Sequence, residues 1–205
     1  MMKEKEKLQA HLAAKRAEEE EQSKKLGGKI RLMLNKLSLD ETPWEYSTSG
    51  LELGGPRIRI LVSQVAYNKS LKHLHLSRSD IKDDEGIEIA KILYNNKTLT
   101  KLELEGNNLG IKTAAELAKG LKYNKTLQFL DLESNQLAGD DGADNQALPQ
   151  LLRALHHNTT LLSLNLGNNK LEAPIGKEIR KLLEVNKTII DLEIGWNSFE
   201  LQDVS

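Results

Sequence analysis

Five copies of one short phrase recur along the chain at nearly equal spacing. The phrase reads Asn-Lys-Thr-Leu or a close variant, and its copies begin at Asn68, Asn96, Asn124, Asn158 and Asn186. The intervals between them are 28, 28, 34 and 28 residues. A period near 28 predicts a solenoid, in which each unit buries its apolar face against its neighbours. Such an array favours a protein that presents an extended surface to partners.

Apolar residues recur at fixed positions after each phrase, so that the aligned units read L-x-x-L-x-L-x-x-N-x-L. The alternating L-x-L portion predicts a short strand with one face inward, and successive units should pair their strands in parallel. Helical apolar spacing occupies the remainder of each unit. The Asn of this motif follows the strand, and its amide can bond unpaired backbone groups there and in the neighbouring unit. It stands at Asn107, Asn135, Asn169 and Asn197.

The phrase itself suits the end of a helix followed by a turn. We expect its Asn to end the preceding helix in a left-handed conformation, and its Ser or Thr to bond locally in the turn. The same residues make five Asn-x-Ser/Thr sequons. We interpret them as turn chemistry rather than as glycosylation acceptors.

The motif resembles the leucine-rich repeat family, specifically its ribonuclease-inhibitor-like branch with a 28-residue unit. The resemblance covers residues 68–199 firmly and 44–67 weakly. It implies an α/β solenoid with parallel strands on the concave face and helices on the convex face. Phrases such as Asn124–Leu127 and Leu182–Thr188 are similar to the C-terminal repeat domain of tropomodulins, which cap actin pointed ends. They are equally similar to the repeats of ciliary and flagellar leucine-rich repeat proteins.

Composition divides the chain into three segments. We expect residues 1–27 to form a charged helical or partly disordered arm, either solvated or ordered by docking along another protein. Residues 28–43 are a cap segment, with a short amphipathic helix over Lys29–Leu37 covering the open face of the first repeat. Residues 44–205 are the repeat domain. It opens with a degenerate unit, whose strand is predicted at Leu51–Leu53 and whose helix at Ile58–Ala66.

The period breaks in two places. Ala138–Asp144 inserts six extra residues and predicts a surface loop; its aspartates lack the closing Glu of an EF-hand, which disfavours calcium. The last unit has a strand but no helix after it. A short ending, a covering subunit or a longer chain are the alternatives.

Composition also limits the function. The net charge of −1 gives no global attraction to nucleic acid or membranes, and the absence of cysteine excludes disulfides and thiolate sites. No apolar run approaches a membrane span or a signal peptide. We therefore expect a cytoplasmic or cytoskeletal protein, including the cilium or flagellum, whose partners are proteins rather than nucleic acid, membrane or a small-molecule substrate, with no cofactor.

The x positions of the strands should face the concave surface and form the candidate protein-binding site. They include a basic and histidine-containing part, which is His73, His75 and Lys101. An acidic block follows, which consists of Glu103, Glu105, Asp131 and Glu133, with Phe129 as its aromatic neighbour. Asp191 and Glu193 form a second acidic pair. Adjacent strands lie about 4.8 Å apart, so the carboxylates repel unless a cation lies nearby. The alternatives are a docking site for a basic and aromatic partner segment and an ordinary solvated sheet face. Trp196 and Phe199 are candidate contacts at the last edge, or a local packed pair.

Catalysis is disfavoured, because an open strand face does not separate the pKa values of paired carboxylates. His73 and His75 share one face, but no third metal ligand is evident in the sequence, so we predict no metal site and interpret them as surface histidines. The sequence thus predicts a non-enzymatic scaffold or adaptor in a cytoskeletal or ciliary (axonemal) assembly. The alternatives are a tropomodulin-like actin pointed-end regulator and an inhibitor or GTPase regulator of the same repeat branch; no arginine at the concave positions disfavours the last.

Overall fold

The computed structural model describes residues 28–139 and 146–198, with side chains from Met33 onward. Six strands form one parallel sheet in sequential order. The strands are β1 Glu45–Ser47, β2 His73–His75, β3 Lys101–Glu103, β4 Phe129–Asp131, β5 Ser163–Asn165 and β6 Asp191–Glu193. The helices are α1 Gly28–Ser38, α2 Gly54–Val65, α3 Asp83–Ala90, α4 Ile92–Asn95, α5 Ile111–Tyr123, α6 Ala147–Leu155 and α7 Ala173–Val185.

The repeat leucines account for this architecture. The central residue of each strand pairs in register with that of the next, so Leu74, Leu102, Leu130 and Leu164 lie in one row. These four side chains are buried in a single core, together with the apolar faces of the helices. Because every strand presents its middle side chain to the helices, its two outer side chains face the other way. The predicted α/β solenoid is confirmed.

The degenerate first unit has its strand in a different place from the one predicted. The strand is Glu45–Ser47, and Tyr46 pairs with Leu74 in the next strand. The predicted strand at Leu51–Leu53 is wrong: Leu53 is buried at the start of α2 and Leu51 is exposed. The interval from Tyr46 to Leu74 is the repeat period itself, so the pair Leu51 and Leu53 occupies the post-strand turn of its unit. The following helix, α2, contains Pro56 in its first turn.

The Asn of the recurring phrase directly follows α4, α5 and α7, but not in the predicted conformation. Helices α2 and α6 end earlier, with Ala66 and His156 as their C-caps, two residues before the Asn. Asn96 and Asn124 both have φ −67°, and their ψ values of 132° and 133° are extended rather than left-handed. Hydrogen bonds explain the preference. The Asn96 Oδ1 accepts from the main-chain N–H groups of Thr98 and Leu99, at 2.9 and 2.6 Å. That arrangement closes the turn with the side chain, so no left-handed residue is required there.

Some predictions concern residues beyond the described ranges. The charged arm at 1–27, most of the Ala138–Asp144 insertion and the terminal residues 199–205 lie outside them. At the cap segment, the structure has α1 with Met33 and Leu37 buried against the repeat core. Among the helices of the described residues, none has the length and apolarity needed to cross a membrane.

Candidate protein-binding face

The outer side chains of the six strands form two rows across one face of the sheet, which we call the concave face. Strand register defines the first row as Glu45, His73, Lys101, Phe129, Ser163 and Asp191. The second row is Ser47, His75, Glu103, Asp131, Asn165 and Glu193. Parallel pairing places row neighbours about 4.8 Å apart, so each side chain interacts with those on both adjacent strands.

Two of the four carboxylates in the predicted acidic block are paired with cations. Glu103 forms an ion pair with Lys101 and also contacts the imidazole of His75. Glu105 accepts a hydrogen bond from the Arg78 guanidinium at 2.8 Å, which raises the pKa of Arg78. Repulsion in this half of the block is therefore offset within the chain.

Asp131 and Glu133, the other two carboxylates, have no cation partner. Within the described ranges, no ion pair involves either of them; Glu133 instead accepts the Asn165 amide at 2.8 Å, and Asp131 accepts the Glu133 N–H at 3.0 Å. Burial, followed by repulsion from Glu105 and Glu133, raises the pKa of Asp131. The adjacent Phe129 ring is 40% exposed. Lys101 attracts Asp131 and Arg78 attracts Glu133 at longer range. This part of the described face thus carries two carboxylates that form no ion pair, beside exposed aromatic surface.

A depression of about 380 Å³ lies over this part of the sheet. Its lining is mostly charged or polar and spans four strands: Lys101, Glu103, Phe129, Leu130, Asp131, Ser163, Asn165, Asp191 and Glu193. At the far side, Asp191 accepts the Ser163 hydroxyl at 2.8 Å, and Glu193 accepts the Gly195 N–H at 2.9 Å. The structure places all ten sequence-derived candidates on or beside one sheet face, where β3 to β6 surround the depression.

The histidines have a neighbour that the sequence did not suggest. Glu45 on β1 lies directly opposite His73 on β2, and its Oε1 is 2.8 Å from the Nε2 of His75. The Trp44 ring meets His73 edge-on at 4.8 Å. Burial, partly opposed by Glu45, lowers the pKa of His73. Counting one repeat period back from His73 leads to Glu45, so the period was the signal that could have found it.

Arg78 is a second residue that the sequence did not single out. It follows β2 with a positive φ of 53°, and its side chain projects to the rim of the concave face beside Ser77 and Glu105. Its ion pair with Glu105 places a guanidinium at one border of the acidic block. The strand positions alone could not reveal it, because it belongs to the turn after the strand.

Of the two residues predicted as contacts at the C-terminal edge of the sheet, the structure describes only Trp196. Trp196 follows β6 with φ 58° and is 89% exposed. Phe199, its proposed packing partner, lies outside the described residues. Both alternatives for this pair stay predictions.

The Asn residues that follow the strands connect consecutive units. Asn107 donates to the carbonyls of Leu76 and Leu104, and its Oδ1 accepts from the N–H groups of Ser79 and Ile81. Asn135, Asn169 and Asn197 make equivalent bonds to their own and the preceding unit. Because these amides are buried or half-buried, they satisfy backbone groups that water does not reach. They hold the strand ends in register and thereby align the concave rows.

Comparison with known proteins finds similar repeats in a family model and a similar fold in two solved structures. A family model described as Leucine Rich repeat matches residues 67–90, 95–112, 123–144 and 157–179. A solved structure titled Leiomodin-1 Actin-Binding Site 2 is 22% identical, covers 74% of this chain and 85% of that one, and superposes with a TM-score of 0.62. The tropomodulin C-terminal domain of Caenorhabditis elegans is 19% identical, covers 76% and 91%, and has a TM-score of 0.62. No curated protein matches the sequence. The chain thus contains leucine-rich repeats, and its fold is similar to that of the tropomodulin and leiomodin repeat domains.

Proposed function

We propose that this chain is a non-enzymatic protein-interaction scaffold in a cytoskeletal assembly, and that its concave face is the docking surface. The observation that carries the proposal is the pair Asp131 and Glu133, which form hydrogen bonds but no ion pair in the described structure, beside the exposed ring of Phe129. A basic partner segment would offset the repulsion between these carboxylates, and an apolar side chain of that segment would cover Phe129.

The lining of the depression supports a protein partner rather than a small substrate. Phe129 and Leu130 are the only apolar residues among those that line it. Small-molecule sites are mostly apolar and enclosed, with a few placed polar groups. A broad polar floor with one aromatic residue suits the rim and anchor arrangement of a protein interface better.

The cytoskeletal part of the proposal is supported by resemblance. The repeat phrases are similar to those of tropomodulins and of ciliary leucine-rich repeat proteins, and the fold is that of two actin-related repeat domains. Actin filaments and microtubules are accordingly the two filament systems to test. The axonemal assembly is the more specific form of this proposal.

Cosedimentation with purified actin filaments and with microtubules tests the scaffold. We expect the chain to pellet with one of them, or with that filament plus its basic associated proteins. The double variant Asp131→Lys/Glu133→Lys should weaken this binding at least about tenfold, because it reverses the charge at the centre of the face. A matched reversal of two exposed glutamates away from that face, Glu41→Lys/Glu184→Lys, should leave it unchanged. Equal binding by both variants, or no pelleting at tens of micromolar chain, would overturn the proposal.

Regulation of actin pointed ends is a second candidate, favoured by the structural similarity to the tropomodulin C-terminal domain. Elongation from filaments with blocked barbed ends measures it directly. Micromolar chain should slow pointed-end growth, and the same concave double variant should restore it. Unchanged elongation at that concentration would eliminate this candidate while leaving filament side-binding intact.

A further inference from the structure

Three potential metal ligands converge at the first two strands of the sheet. Glu45 and His73 are paired in register on β1 and β2, and His75 is the next residue of β2 on the same face. One ligand atom from each of the three lies within 4.8 Å of the other two. Because the pairing of β1 with β2 sets these positions, the backbone brings the side chains together without contribution from a loop.

His75 and Glu45 face each other without a hydrogen bond between them. The Nδ1 of His75 faces the carboxylate of Glu103, so a proton on Nδ1 is the natural donor there. The Nε2 then directs a lone pair at the Glu45 Oε1, 2.8 Å away, and this buried nitrogen makes no hydrogen bond of acceptable geometry. Two lone pairs at that distance repel. A cation between them, either a second proton or a metal ion, removes the repulsion.

His73 distinguishes the metal from the proton. A doubly protonated His75 would be satisfied by Glu45 and Glu103 alone, and a further imidazole would add nothing. Instead, the His73 ring reaches the same point, with Trp44 packed edge-on against it at 4.8 Å. Two imidazoles and one carboxylate are the donor set of many zinc sites with an open fourth position. The Glu103 carboxylate behind His75 matches the outer-shell partner that commonly orients a ligating histidine.

We propose that Glu45, His73 and His75 bind a divalent transition-metal ion, with zinc as the representative, and that the ion joins β1 to β2 on the concave face. Ligand atoms around tetrahedral zinc lie about 3.3 Å apart, given bond lengths near 2.0–2.1 Å. The three ligand atoms lie within 4.8 Å of one another, somewhat wider than that separation.

Titration of the untagged full chain with zinc tests the proposal, with Co²⁺ absorption as a report of coordination. We expect one ion per chain with micromolar or tighter affinity at neutral pH, a rise in melting temperature with zinc, and no competition from millimolar Mg²⁺ or Ca²⁺. The variants His73→Asn, His75→Asn and Glu45→Gln should each weaken binding at least about tenfold, and Glu103→Gln should weaken it less. The matched control is His157→Asn, which changes an exposed histidine at the end of α6.

The outcomes separate the alternatives clearly. Loss of binding in the three ligand variants, with circular dichroism unchanged and the control unaffected, supports the site. Absence of zinc binding and of a Co²⁺ spectrum would mean that a proton occupies the position, and would overturn the proposal. Retained binding in His73→Asn and His75→Asn, or its loss in His157→Asn, would place the ion elsewhere and overturn it equally.

Discussion

The carboxylate of Asp83 accepts the Thr113 hydroxyl at 2.6 Å, although the two residues lie 30 positions apart. The same carboxylate accepts the N–H groups of Gly110, Lys112 and Thr113. Helix α5 has no side-chain cap from its own N-cap residue. Asp83, at the start of α3, therefore caps the helix of the next unit, and the interface between units contains hydrogen bonds as well as apolar contacts.

Asp83→Ala should destabilise the protein by about 1–3 kcal/mol, because it leaves three N–H groups at the start of α5 without their acceptor. Although burial acts in the opposite direction, the hydrogen bonds from Thr113, Gly110 and Lys112 lower the pKa of Asp83. Its contribution is therefore complete above the unfolded-state pKa and is lost as the pH falls through the folded-state value. Denaturant unfolding at several pH values measures both effects. The adjacent Asp84 forms an exposed ion pair with the Lys112 ammonium, so Asp84→Ala is the control and should cost less than about 1 kcal/mol.

Asn124→Ala should reduce the free energy of unfolding by about 2–4 kcal/mol. The buried amide donates to the Leu93 carbonyl at 3.0 Å and accepts from the N–H groups of Thr126 and Leu127. Its removal leaves three backbone groups unpaired at the junction of two units. Chemical denaturation supplies the measurement, and the exposed neighbour Lys125→Ala supplies the control. A loss below about 1 kcal/mol would show that water replaces the amide.

Glu178→Gln should destabilise the protein by about 1 kcal/mol at neutral pH. Arg153 donates to both carboxylate oxygens of Glu178, at 3.0 and 2.9 Å, and Lys181 donates at 3.1 Å. Hydrogen bonds from Arg153, and then Lys181, lower the pKa of Glu178 to about 2 against the opposing effect of burial.

The pH dependence of that variant follows from the lowered pKa. The stabilising contribution of Glu178 is present above the unfolded-state pKa, about 4.3, and declines as the pH falls toward the folded-state value. The difference between wild type and Glu178→Gln should therefore be constant at pH 5–8 and shrink at pH 3. Glu184→Gln, on the exposed side of the same helix, should show no difference at any pH. A difference that persists unchanged at pH 3 would contradict the assigned cause.

Asp131→Asn should stabilise the isolated chain at neutral pH, by less than about 1 kcal/mol. Asparagine keeps the oxygen that accepts the Glu133 N–H and removes a charge that is half-buried and repelled by Glu105 and Glu133. The pKa of Asp131 is raised in the folded state, so its ionised form opposes folding above that pKa. The stabilisation should therefore disappear below the unfolded-state pKa, about 3.9. Thermal unfolding at pH 7 and pH 3.5 tests this, with Asp191→Asn as the control on β6.

If the concave face is a docking surface, the stabilising substitution Asp131→Asn should also weaken partner binding. When one substitution raises stability and weakens binding, the original charged residue typically serves binding at a cost in stability. A variant that stabilises the chain and binds equally well would indicate that the repulsion serves no interface at this position.

Periodicity was enough to predict the solenoid, the parallel strands and the face on which each strand residue lies. Each repeat leucine has its neighbours at one period before and after it, so local pattern and global packing coincide in such an array. The same logic would have placed the first strand at Glu45–Ser47. It was missed because Tyr46 and Thr48 stand where the other units have leucines, and the later leucines Leu51 and Leu53 imitate the alternation of a strand.

The sequence alone thus determined the repeat, its buried leucines and the acidic character of the concave face. Only the tertiary structure decided which charges neutralise one another, because partners such as Arg78 and Glu105 lie in different units. Their distances depend on side-chain directions in turns and on strand register, neither of which the repeat motif specifies. The same holds for Asp83 and Thr113, whose hydrogen bond becomes visible only when two units are stacked.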